Sequence, residues 1–71
     1  MDAEKLKKIM EKKNISAQEM ATATDMDIST WYRKIQKNGE TFNIREMDLI
    51  IKKLKIDKTE AASLFFGEKL A

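Results

Sequence analysis

The chain reads as an all-α domain built from five short helices. Three observations carry this reading. Apolar residues recur at spacings of three and four in separate segments, with no alternating strand pattern. Most of these segments open on a residue suited to cap a helix. Proline is absent and glycine occurs only at Gly39 and Gly67, so the connections must be short, ordered turns.

The first helix is expected from about Asp2 to Lys13, with Leu6, Ile9 and Met10 on its inner side. Its Lys5, Lys7, Lys8, Lys12 and Lys13 read as a solvated face, with Glu4 and Lys8 as an i,i+4 pair. Asn14 can close that helix because Asn tolerates the left-handed conformation a C-cap needs. Ser16 and Glu19 form an S-x-x-E capping box that opens a short second helix through Ala23, with Met20 and Ala21 facing inward. Asp27 is the expected cap of the third, its carboxylate accepting from the N–H of Ser29 or Thr30. That helix runs from Ile28 to about Lys37, with Trp31 and Ile35 as its buried stripe. After the break at "KNGETF", Asn43 and Glu46 form a second capping box. The helix behind it carries Ile44, Met47, Ile50, Ile51 and Leu54 at helical spacing. Asp57 and Glu60 open the fifth in the same way, through Ala61, Ala62, Leu64, Phe65 and Phe66, and Gly67 stops it. Helices this short hold only by packing on one another.

Seventy-one residues make one domain, spanning 1–71. A chain of this size buries about 60% of the surface its unfolded form exposes. It has neither Cys nor His, which removes disulfides, Cys-based zinc sites, imidazole ligands and the usual general base. There is no glycine-rich phosphate loop, and caps and solvated faces account for the Ser, Lys and carboxylate residues. No catalytic residue, metal ligand, cofactor or small-molecule ligand is therefore expected. Apolar runs such as Leu49-Ile50-Ile51 fall far short of the roughly 20 residues a membrane span needs. No apolar signal core follows the N-terminus, so a cytoplasmic location is expected.

Net charge is +2, and its distribution is uneven. Residues 1–25 balance five Lys against five carboxylates, and residues 46–71 do the same. Between them, residues 26–45 set Arg33, Lys34, Lys37 and Arg45 against Asp27 and Glu40, which accounts for the whole excess of two. A cationic patch on a neutral body is a footprint for a polyanion.

The second and third helices, joined by Thr24-Asp25-Met26-Asp27, meet the requirements of a helix-turn-helix. Ala21 is small where the helices cross, Asp25 can take positive φ, and Trp31 anchors the inner side. With Trp31 and Ile35 inward, Ile28, Ser29, Tyr32, Arg33 and Gln36 point outward. Such a face fits the major groove and can read base edges there.

At these residues the chain resembles a known family. "ISAQEMATATDMDISTWYRKIQKNG" looks like the helix-turn-helix of the phage lambda-repressor/Cro-like class, the XRE family. "STWYRKIQKNGETFNIREMDLIIKKL" with "AASLFFG" is similar to small Cro- and repressor-like regulators of phages and prophages of low-GC Gram-positive bacteria. The resemblance implies a five-helix lambda-repressor-like fold and sequence-specific binding to a double-stranded operator. It also implies base-reading roles for Ile28, Ser29 and Arg33, with Tyr32 beside them. Ser16 and Gln18, through side chains and backbone N–H groups, together with Lys37, Asn38 and Thr41, would touch phosphate. Three departures stand out: Ala17 where the family has Gln, Asp25 where it has Gly, and Lys34 where it has an apolar residue.

One such helix gives limited affinity, so a homodimer on two half-sites is expected, with Phe65 or Phe66 and Leu70 at the contact. With no effector domain, protease-sensitive linker or long oligomerisation segment read after Gly67, a Cro-type regulator is expected rather than a two-domain repressor. The rival expectation is a small protein–protein module, an antirepressor or adaptor, using Trp31, Tyr32 and Phe66 as anchors.

Overall fold

The computed structural model describes residues 1–67. Among them the chain forms five helices and no strand: α1 (Ala3–Lys13), α2 (Ala17–Ala23), α3 (Ile28–Gln36), α4 (Ile44–Leu54) and α5 (Lys58–Phe66). The fold class and the helix order are those the sequence predicts.

Local chemistry sets each helix start. Asp2, Ser16, Asn43 and Asp57 each accept from the backbone N–H three residues on. At Ser16 and Asn43 the box is complete, because Glu19 and Glu46 bond back to the cap backbone at 3.0 Å. At Asp57 only the forward bond forms, to the Glu60 N–H at 2.8 Å. Asp27 departs from expectation. It occupies the N-cap of α3 with extended backbone, yet its carboxylate makes no capping hydrogen bond and stays exposed.

The helix ends share one device. Asn14, Asp25, Asn38 and Lys55 all take left-handed φ, between 54° and 57°. At each, its own N–H and that of the next residue turn back to the helix in the Schellman pattern. In the helix-turn-helix these bonds run from Asp25 to the Thr22 carbonyl and from Met26 to the Ala21 carbonyl, at 3.1 and 3.0 Å. Thr24, buried in the same turn, donates its hydroxyl to the Met20 carbonyl at 2.7 Å.

The core gathers Leu6, Ile9, Met20, Ala21, Trp31, Phe42, Ile50, Leu54, Ile56, Ala61 and Leu64. α1 packs on α4 and α5, while α2 packs on both α3 and α4. The Asp2 N–H donates to the Leu64 carbonyl at 2.9 Å, fastening the start of the chain to α5.

Besides the Asp27 cap, three expectations need correction. Ile44 is 82% exposed and does not join the inner stripe of α4, because the buried arc of that helix starts one turn later at Met47 and continues through Ile50 and Leu54. Lys5 is not simply solvated; its ammonium donates to the Ser63 hydroxyl at 2.9 Å, bracing α1 against α5. The Glu4–Lys8 pair does not close, and the ion pairs among the described residues are Lys34–Glu46, Lys52–Asp48 and Lys53–Glu19.

Candidate nucleic-acid interface

α3 leans chiefly on α2 and is pinned from below by Trp31, which is 2% exposed. That anchor fixes the helix rotation. Ile28, Ser29, Tyr32, Arg33 and Gln36 emerge together on the outer face, with Tyr32 53% exposed. Among the described residues, Ser29, Tyr32 and Arg33 have no intramolecular side-chain hydrogen bond or ion pair. Their donors are free, and the exposed guanidinium keeps all its N–H groups for an external acceptor.

The expected phosphate contacts lie in two places. Lys37, Asn38 and Thr41 are exposed on the loop that leaves α3. Ser16 and Gln18 open α2, which packs directly on α3. Here the capping box takes part of what was expected to be free: the Ser16 N–H donates to Glu19 Oε1 at 3.0 Å and the Ser16 hydroxyl accepts from the Glu19 N–H at 3.1 Å. Ser16 thus keeps its hydroxyl proton for an outside acceptor, but not its backbone N–H. Gln18 Nε2 donates to the Thr22 hydroxyl at 3.3 Å. The Ser16 bonds hold the Glu19 carboxyl below its ordinary range, with Lys53 adding to the effect.

Charge is polarised along α3. Asp25 and Asp27, both exposed, line a shallow groove with Thr22, Met26 and Thr30 at the N-terminal end. Arg33 and Lys37 lie at the other end. Lys34, counted as part of the cationic excess, is not free. Its ammonium sits 3.0 Å from Glu46 Oε1, a carboxylate just beyond the window over which the excess was counted. Including Glu46 halves the local excess from two to one, and the cations left for a polyanion here are Arg33, Lys37 and Arg45. Glu46 itself is about four-fifths buried. That burial pushes its carboxyl upward, but the Asn43 N–H and the Lys34 ammonium outweigh it, so the group lies below its ordinary range.

Phe42 and Lys34 are the site residues that sequence reasoning missed. Phe42 is buried against Trp31 from a loop with no periodicity to reveal it. Lys34 carried a signal, since it stands where the resembled family has an apolar residue.

A family model described as the Cro/C1-type HTH DNA-binding domain matches residues 5–64. The chain belongs to this family. It is accordingly a DNA-binding regulator of the helix-turn-helix type, α2 and α3 forming the motif, and the family is typically non-enzymatic. Neither the curated proteins nor the solved structures compared with the chain give a match. Among the described residues, no helix of this Cro/C1-type domain is long and apolar enough to cross a membrane.

Proposed function

We propose that this single 71-residue domain is a sequence-specific transcriptional regulator of the Cro-like or repressor-like kind, of phage or prophage origin, acting in the cytoplasm by occupying a double-stranded operator. In this reading α3 lies in the major groove. Ile28, Ser29, Tyr32 and Arg33 face base edges, while Ser16, Gln18, Lys37, Asn38 and Thr41 hold phosphates. The observation that carries it is the outer face of α3, whose polar donors are free while Trp31 locks the opposite side. Arg33 is the chief reader, through two parallel hydrogen bonds to guanine O6 and N7. Ile28 meets a thymine methyl. The charge gradient along the helix favours one orientation, with the carboxylates of Asp25 and Asp27 away from phosphate and Lys37 against it.

Two half-sites require two subunits. An apolar groove of about 410 Å³ between α4 and α5 supplies a surface for this, lined by Ile44, Met47, Ile51, Phe65 and Phe66, with Asp48 and Lys58 among its charged lining residues. A self-complementary face with one acid and one base suits a two-fold pairing. Leu70, also expected at the contact, lies outside the described residues.

Selection of bound duplexes from a random pool tests the whole reading. A recovered site with two-fold symmetry is the expected result, with affinity falling steeply as salt rises. Failure to enrich any sequence in dilute buffer would refute it. Of the three anchors the rival protein-binding reading would use, Trp31 is interior and unavailable to a partner, while Tyr32 and Phe66 are exposed.

A further inference from the structure

Lys34 is the last residue of α3 whose backbone and side chain both engage the following loop. Its carbonyl accepts from the Gly39 N–H at 2.8 Å. Its ammonium donates to the Thr41 carbonyl at 3.1 Å and to Glu46 Oε1 at 3.0 Å, and stands 5.6 Å from the centre of the Phe42 ring. The same Glu46 oxygen also accepts from the Asn43 N–H at 3.0 Å. One side chain therefore ties the end of α3, the loop and the first turn of α4 into a single node. Lys34 and Glu46 are both about four-fifths buried, so solvent screens the pair only partly.

We propose that Lys34 is a positioning residue for DNA binding, a clamp that presents Lys37, Asn38 and Thr41 to the phosphate backbone without touching DNA itself. The inference rests on the operator-binding reading above. Phe42 pins the far end of the seven-residue loop in the core, but its largely exposed stretch from Lys37 to Thr41 would otherwise sample more shapes, and each phosphate contact would bear the ordering cost at the moment of binding. Lys34, bonded to the Thr41 carbonyl, lowers that cost beforehand. Its charge, matched by Glu46, adds little to the long-range pull on the duplex. What it contributes is geometry.

The test is a binding cycle on the full chain with the selected operator. Lys37→Ala is measured in the parent and in the paired variant Lys34→Met/Glu46→Gln. The paired change removes one positive and one negative charge, so net attraction is unaltered, and the Met keeps an unbranched apolar stem over Phe42. In the parent, Lys37→Ala should weaken binding to all duplexes and lower the slope of log affinity against log salt by about one. In the paired background the same substitution should cost at least about twofold less in Kd, the signature of coupled positions. A purely structural role would lower the melting temperature of the paired variant without changing what Lys37→Ala costs. If the paired variant fails to fold by circular dichroism, Lys34→Met alone replaces it, since it removes the clamping ammonium while Glu46 still accepts from the Asn43 N–H. Equal losses from Lys37→Ala in both backgrounds, or no loss in the parent, would overturn the clamp while leaving operator binding intact. A parent chain that binds no duplex would overturn the operator reading, and the clamp with it.

Discussion

Trp31 and Phe42 meet with ring centroids 5.4 Å apart and planes tilted by 46°. The indole comes from α3 and the phenyl from the loop that follows it, so one contact both fills the core and sets the outward face of the helix. Tilted aromatic pairs at this separation gain about 0.5–1.5 kcal/mol beyond the area they bury.

Trp31→Ala should therefore cost about 3–5 kcal/mol through loss of burial and an unfilled cavity. Against a total stability of roughly 5–15 kcal/mol for a native domain, that removes much of the margin. Urea or thermal unfolding measures it. A melting curve matching the parent would show that the indole does not hold α3 in place.

If Arg33 reads a guanine as proposed, Arg33→Ala should weaken binding to the preferred operator by about 1–3 kcal/mol and relax preference at one base pair, through loss of two hydrogen bonds. Titration against operators varied one position at a time separates this from a phosphate role. A uniform loss over all variants would move Arg33 from base reading to backbone contact.

Ile44→Glu places a charge on a residue that the monomer leaves in water. Folding stability should stay within about 0.5 kcal/mol of the parent. The proposed dimer should dissociate in sedimentation, and affinity for the proposed two-half-site operator should fall with it, while binding to an isolated half-site persists. An unchanged dimer would exclude the groove between α4 and α5 as the contact.

Acid should loosen the start of α4 in a definite direction. The folded-state pKa of Glu46 lies below its unfolded value, so the unfolded chain takes up the proton first. Its contribution to stability is complete above about pH 4.3, the ordinary glutamate value, and is lost as pH falls through the lower folded value. Glu19 acts with the same sign at the start of α2. Urea midpoints taken from about pH 6 downward should fall less steeply for Glu46→Gln than for the parent. Parallel curves would deny Glu46 that part.

The helices were legible because their signals are local. Ser16 with Glu19 and Asn43 with Glu46 announce two helix starts through spacing alone, and the structure forms both boxes in full. Asn14 and Asp25 were likewise readable as positive-φ residues. The outward face of α3 followed from helical period once Trp31 was placed inside. What escaped depends on partners distant in sequence or on details within one turn. Lys34 looked like one more cation, because nothing near it announces a carboxylate twelve residues on. Asp27 has a capping residue's identity and backbone, yet its carboxylate faces water. Ile44 keeps the apolar period of α4 but precedes the arc that the core covers, and period alone does not say where an arc begins.

Four of the five helices end on Asn14, Asp25, Asn38 or Lys55, each bent into a conformation that glycine enters most easily. Keeping a Cβ at these bends carries some local strain in the native state. It also narrows the range of shapes open to the denatured chain, which a glycine at each bend would widen. At positive φ the native strain outweighs that gain, so these four bends persist because the hydrogen bonds and packing around them over-determine their shape.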